Sequence, residues 1–290
     1  KKQRREERKM YNFEYFEDRC RDTTWGAINK DDKYYPDKFL EDEFACFYVY
    51  SFAHLNLPAP TIAQLEMAKF ISNRDNPHRM MMAMRGLSKS LTSQIYVAWR
   101  LLNDPNEKIL VMSAGSDRAK SYTQFVKKLI GTLPITKPMV PRHNVERTST
   151  QMFDVAGSSA SDSASVYAVG AGNQLAGFRA SLVIYDDVET AQSVESTVMM
   201  EKNDTYCMEA QNLLMSGKDE SITLCTPHSM SSMYISWIDK GVIPFIIPAE
   251  VPEDDSQYFG GLAPFVKDMI ADELIGTAVD ERLDKDFLMS

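Results

Sequence analysis

A lysine and a hydroxyl stand side by side, Lys89 and Ser90, behind the apolar run in "RMMMAMRGLSKSLTSQIYVAWRLL" (79–102). A tight turn between a strand and a helix N-terminus aims backbone N–H groups at an anion. A Lys at its end adds charge for the outer phosphates, and the next hydroxyl can ligate magnesium. The full pattern of such a loop is G-x-x-x-x-G-K-[ST]. In Arg85-Gly86-Leu87-Ser88-Lys89-Ser90, Ser88 stands at the second glycine position, and Ala83 at the first. A serine is tolerable there so long as its φ stays negative, since only a Cβ and a hydroxyl are added. Taken alone, a plain strand–turn–helix accounts for this stretch more readily than a nucleotide site does.

A second constellation shifts that balance. "ASLVIYDDVE" (180–189) is an apolar strand ending in Asp186 and Asp187, with Glu189 beyond. A phosphate site needs one acid at the tip of a neighbouring strand for the magnesium shell and a second to orient or deprotonate the attacking water. Asp186 is assigned the metal and Asp187 the water, with Glu189 the rival for the second role. The Lys-Ser loop and the acid pair together favour a nucleotide hydrolase over two unrelated turns.

Three further residues are candidates. "SITLCT" (221–226) ends in Thr226-Pro227-His228, where a polar strand tip can sit near the γ-phosphate and report hydrolysis, or simply lead into a turn. Gln64, in "PTIAQLEMAKF" (60–70), carries an amide able to read an adenine edge, although a solvent-facing helical Gln is the commoner case. Arg179, in the Gly-rich "GAGNQLAGFRAS" (170–181), has a planar guanidinium suited to phosphate oxygens in a transition state, or to an acid of its own subunit.

The elements that must position these residues alternate along the chain. Strands are expected at 79–84, 108–114, 164–170, 181–187, 221–226 and 242–249, with helices at 90–102, 117–130 and 194–215. Continuous apolar strands separated by helices indicate a parallel sheet covered on both faces. The strands at 108–114 and 164–170 fall between the loop and the acidic strand, which suits P-loop proteins whose two catalytic strands are separated by another. Residues 1–57 read as a helical N-terminal subdomain, closed by the prolines of "NLPAPT" (56–61). Residues 58–250 form the core, and 251–290, with a Gly-Gly pair at 260–261, an irregular acidic arm.

The chain has 290 residues and a net charge of −9. The charge is uneven: residues 250–290 hold eleven acids and three bases, whereas 74–147 hold thirteen bases and five acids. A basic segment can still meet a phosphate backbone, or be an ordinary solvated surface. Four scattered cysteines without C-x-x-C spacing argue against a zinc site or disulfide framework and fit a reducing compartment. No run is apolar and long enough for a membrane span, and "KKQRREERK" has no apolar segment behind it to make a signal peptide. The first residue is Lys1 and not Met, which suggests a piece of something longer.

The ordered set "PTIAQLEMAK", "AMRGLSKS", "KILVMSAGSDRAKS", "AVGAGNQLAGFRASLVIYDDVE" and "LCTPHS" resembles the ATPase domain of tailed-bacteriophage large terminases, the DNA-packaging motors, of the short-tailed-phage type. The resemblance runs from about Pro58 to the end. It implies a RecA-like α/β fold of the ASCE-type P-loop class, hydrolysing ATP with Mg2+ to drive double-stranded DNA through a portal into a procapsid. It also implies a small terminase subunit as partner, a homo-oligomeric ring, a pentamer by family habit, and work in the host cytoplasm with no membrane. Within it, Arg85 falls at the Arg of the family's deviant loop, and Lys89 and Ser90 at the Lys and hydroxyl. Asp186 falls at the magnesium acid, Asp187 at the catalytic carboxylate, Thr226 at the coupling motif, Gln64 at the adenine-side Gln, and Arg179 at the arginine finger of a ring neighbour. Gly86, Leu87 and Ser88 complete the loop. The departures are Ser88 for Gly, Asp187 for the commoner Glu, and Cys225 for Gly. The nuclease domain of full-length relatives is expected outside this chain. The rival readings are another P-loop nucleic-acid motor, such as a helicase, and a non-catalytic interaction module with a decayed loop.

Overall fold

A computed structural model of the chain describes residues 43–173, 175, 177–190, 192–217, 219–227, 232–280 and 282. Residues 1–42, and with them most of the expected N-terminal subdomain, lie outside the described residues, as does His228.

The apolar runs become strands buried along nearly their whole length: β1 (His78–Ala83), β2 (Ile109–Ser113), β4 (Val166–Gly170), β5 (Leu182–Asp186), β6 (Glu220–Cys225) and β7 (Pro244–Ile247). A two-residue strand, β3 (Met152–Phe153), pairs antiparallel to β4, and every other pairing is parallel. The seven-stranded order is β3-β4-β2-β5-β6-β1-β7. The loop strand β1 and the acid-tipped β5 are thus separated by one strand, as the RecA-like, ASCE-type class requires. That strand is β6, which follows β5 in sequence. The expectation that 108–114 or 164–170 would stand between them is corrected: both lie on the far side of β5. Chain order cannot reveal this, because each parallel crossover is free to skip a neighbour.

Helices cover both faces. α1 (Glu43–His54), α2 (Ile62–Ser72), α3 (Lys89–Asn103) and α4 (Ser116–Thr132) lie over the face that carries Met81, Ala83, Ile109, Val111, Leu182 and Ile184. α5 (Thr197–Gln211) and α6 (Met233–Asp239) cover the face of Met80, Met82, Leu110, Met112 and Val183. Successive strand side chains point to opposite faces, so each strand feeds both cores. The 251–280 stretch, expected to be irregular, carries α7 (Pro264–Ala271), and its Val251, Leu262, Phe265, Val266 and Val279 join the first core together with α1 and α2. Asp280 accepts a 2.7 Å hydrogen bond from the Thr61 hydroxyl at the start of α2. Among the described residues no helix is long and apolar enough to cross a membrane, and Cys46, Cys207 and Cys225 are buried.

Candidate nucleotide site

Because the strands run parallel, the tips of β1, β2, β5 and β6 share one edge: Met82 sits level with Cys225, Asp186 with Leu224, and Ser113 with Asp186. Residues that leave these tips therefore meet, whatever their separation in sequence.

Between β1 and α3 the chain turns through Gly86 (φ +91) and Ser88 (φ +67, ψ 33). Ser88 is thus in the left-handed region, so the negative φ under which a serine is tolerable there is not met. The second glycine position of the pattern needs this conformation, and a serine there pays on the order of 1–2 kcal/mol that glycine would not. Leu87 is buried beside it, and Arg85 is exposed.

α3 begins at Lys89. Its ammonium is buried and donates to the carbonyls of Ala83 (2.6 Å) and Met84 (3.2 Å) and to the Thr226 hydroxyl (2.8 Å). Thr226 in turn donates to the Ala83 carbonyl at 3.2 Å. Burial lowers the Lys89 pKa, while Asp187 and Asp186 act to keep its proton and Arg85 opposes them. The adjacent Ser90 hydroxyl donates to Asp186 Oδ1 at 2.6 Å. Asp186 is pushed up to about 6 by burial and by the neighbouring Asp187, against the Ser90 hydrogen bond and the charges of Lys89 and Arg118. A carboxylate that is costly to ionise, next to a hydroxyl and a second carboxylate, is a hard oxygen set suited to Mg2+. Among the described residues no group of three His, Cys, Asp or Glu side chains could hold a metal by itself. A magnesium ion here would take Ser90 and Asp186 as its protein ligands and fill its shell from phosphate and water.

The other candidates separate. Asp187 leaves the tip of β5 at φ +44, its N–H bonded to the Leu224 carbonyl at 2.9 Å, and its charge acts on both Lys89 and Asp186. Glu189 is 2% exposed and turned to α6, accepting from Ser232 Oγ (2.6 Å) and from the Met233 N–H (2.7 Å). Those bonds engage both carboxylate oxygens at the N-terminus of α6.

Gln64 is 0% exposed, which rules out a solvent-facing side chain. Its Oε1 accepts from the Thr61 N–H (3.1 Å) in a capping box, and its Nε2 donates to the Leu87 carbonyl at 3.5 Å. It ties the start of α2 to the phosphate loop. Arg179 is not brought to the site. Its N–H donates to Ser163 Oγ before β4, and it precedes the first residue of β5, so the strand carries it to the opposite edge of the sheet. At about 3.3 Å per residue it lies roughly 20 Å from Asp186. It stands exposed at that edge, away from the Lys89–Asp186 strip of its own chain.

One residue was missed. Arg118, on the first turn of α4, is exposed and acts on Asp186. It lines a cavity of about 520 Å3 with Ser90, Gln94, Tyr122 and Asp186. Its stretch, "GSDRAKS", follows β2, and only the lateral pairing of β2 with β5 brings it beside the acid.

No family model matches the chain. The chain is 35% identical over 238 residues to the terminase large subunit of Enterobacteria phage T3, a match covering 80% of this chain and 40% of that protein. It therefore spans about two fifths of the length of the curated relative it matches. Among solved structures, the HK97 bacteriophage large terminase is similar at TM-score 0.44 and 14% identity, covering 89% of this chain and 49% of that one. The N-terminal domain of the DNA packaging ATPase from bacteriophage phi29 is similar at TM-score 0.38 and 11% identity, covering 56% and 80%. These structural scores are too low to decide anything about this chain, and the fold rests on the sheet order above.

Proposed function

We propose, from this kinship with a terminase large subunit, that the chain is the ATP-hydrolysing motor part of such a protein. It would work with Mg2+ to drive double-stranded DNA into a procapsid in the host cytoplasm. The observation that carries the reading is the convergence of Lys89, Ser90, Asp186 and Thr226, drawn from three strand tips, on one strip of the sheet edge.

ATP is the substrate. The N–H groups of the loop at 85–90 and the Lys89 ammonium receive its phosphate oxygens, and Lys89 exchanges its carbonyl contacts for that charge. Mg2+, held by Ser90 and Asp186, neutralises charge on the outer phosphate oxygens when bound. Asp187 orients the attacking water and accepts its proton, which Glu189, spent on α6, is poorly placed to do. Thr226, bonded to Lys89, senses loss of the γ-phosphate and passes it to β6. Arg85 adds positive charge at the loop mouth. Arg179 acts on the nucleotide of a neighbouring copy in a homo-oligomeric ring, a pentamer by family habit, which its exposed place at the far edge of the sheet supports. The portal and the small terminase subunit are the expected partners. The decayed-module reading, motivated by Ala83 and Ser88, fits poorly with a Lys and an Asp that still converge.

Phosphate release from wild type and Lys89→Ala, each checked for native circular dichroism, tests this. Loss of the ammonium is expected to lower turnover by about 10²–10³-fold. Equal rates in the two proteins would remove the assignment.

A further inference from the structure

On the face of the sheet opposite α3, a cavity of about 260 Å3 lies under α5 and α6. Met80 of β1, Tyr185 of β5 and Thr223 of β6 are level with one another in the sheet and form its floor. Gln211 of α5 and Trp237 of α6 close it from above, and it opens beside Met208, which is 55% exposed. It shares no lining residue with the Lys89–Asp186 strip.

Its floor carries polar atoms in an otherwise apolar face. Ile222 and Leu224 of β6 belong to the first core, so Ser221 and Thr223 turn to the other side, among Met80, Met82 and Val183. Thr223 is 5% exposed, and its hydroxyl bonds to no other described residue. Ser221 Oγ stands 3.0 Å from His78 Nδ1, and the direction of that bond follows from its neighbours. Gln211 Oε1 accepts from the Tyr185 hydroxyl (3.2 Å), so the Gln211 amide N–H faces His78 Nδ1 (3.4 Å). That nitrogen is therefore assigned as an acceptor, and the Ser221 hydroxyl donates to it. Ser221 keeps its lone pairs for another donor, and Thr223 keeps its whole hydroxyl.

Buried polar groups are normally paired, and a lone hydroxyl in an apolar wall is destabilising. Water does not resolve this, because each buried water takes about 2–4 polar partners and two hydroxyls cannot hold water throughout such a space. The walls favour a flat, polarizable guest. Tyr185 and Trp237 meet edge to face at 5.9 Å, with the Met80 thioether beside them. An apolar cavity of about 150 Å3 admits benzene, so this one has room for two fused rings.

We propose that this cavity is a small-molecule site for a one- or two-ring aromatic bearing an N–H or O–H donor, of the indole or phenol class. Ser221 and Thr223 take the donor, and Tyr185, Trp237 and Met80 hold the ring. The site stands apart from the phosphate site and does not depend on it.

Calorimetry with indole and with 1-methylindole, which keeps the rings and lacks the donor, compares wild type with Thr223→Val, an exchange of hydroxyl for methyl at constant shape. Wild type is expected to bind indole about 10-fold more tightly than 1-methylindole. Thr223→Val is expected to bind indole about 5- to 10-fold more weakly, with 1-methylindole unchanged, as the loss of one neutral hydrogen bond requires. Its melting temperature should equal or exceed that of wild type, since an unpaired hydroxyl leaves the interior, which separates lost binding from lost folding. Photolabelling with 5-azidoindole reports the location, with label expected within 206–211 or 237–242. No measurable binding of indole by wild type, equal affinity for the two ligands, or label confined outside those segments would overturn the site.

Discussion

Two carboxylates three residues or fewer from Asp186 have different fates, and the difference is local. Asp187 follows β5 through a left-handed turn and stays in electrostatic contact with Lys89, whereas Glu189 satisfies the first N–H of α6. Asp187→Asn is accordingly expected to cut turnover at least 100-fold with an unchanged melting temperature. Glu189→Gln should instead destabilise by about 1–2 kcal/mol, the worth of a helix cap, with a smaller effect on rate. Turnover and thermal melts of the two variants check the split, and the reverse pattern would exchange their roles. Asp186 carries a prediction of its own. Its pKa is raised to about 6 in the folded protein from an ordinary 3.8, so without ligand the folded state favours the protonated form. That contribution is full below pH 4, is lost as pH rises through 6, and leaves the ionised residue a burden at pH 7. Asp186→Asn should therefore raise the stability of the ligand-free protein at pH 7 by on the order of 1–3 kcal/mol, flatten its pH dependence between 4 and 6, and abolish turnover. Urea melts across that range measure it.

At the level of elements, the nucleotide edge of the sheet is matched by an ionic clasp at the opposite edge. Glu220 at the start of β6 accepts from Arg79 of β1 (2.8 Å) and Arg100 of α3 (3.0 Å), and Arg74 also reaches it. Arg100 bridges on to Glu107 (2.5 Å), which Ser181 joins from the foot of β5. Burial pushes the Glu220 carboxyl up, yet Arg100 and Arg79 overcome it and hold it below its usual range. Glu220→Ala would leave the buried Arg79 without its carboxylate and Arg100 with Glu107 alone, and is expected to cost about 3–5 kcal/mol in chemical denaturation, while ATP affinity measured on the remaining folded protein stays near wild type. A loss below 1 kcal/mol would show the clasp to be dispensable. Apolar runs and Gly-containing turns made the six parallel strands and α3, α4 and α5 legible in the chain, but not the two-residue β3. The clasp was not, since Arg79, Arg100, Glu107 and Glu220 are scattered charges until the strands are laid side by side. Ser88 was misjudged for a similar reason: its backbone angle is set by the loop's need to bring N–H groups inward and not by its own side chain.

Across the whole molecule, the acidic C-terminal stretch is part of the fold it seemed to trail from. Val251, Leu262, Phe265, Val266 and Val279 lie in the same apolar core as α1 and α2, and Asp280 clasps Thr61. Each buried apolar side chain is worth about 1.5–3 kcal/mol against a usual total of about 5–15. A chain ending after Glu250 is thus expected to lose cooperative unfolding, and a sharp native-like melt would contradict this. The residue types were enough to point at a Lys-hydroxyl loop, an acid-tipped strand and a parallel sheet, because anion cradling and metal ligation demand particular atoms at short spacings, and burial on both faces demands apolar runs. Which strand separates β1 from β5, which of two nearby carboxylates faces the lysine, and that Arg179 stands at the far edge were decided by the three-dimensional arrangement alone. Those are matters of lateral neighbours and of the direction in which a side chain leaves its strand, and linear order carries neither.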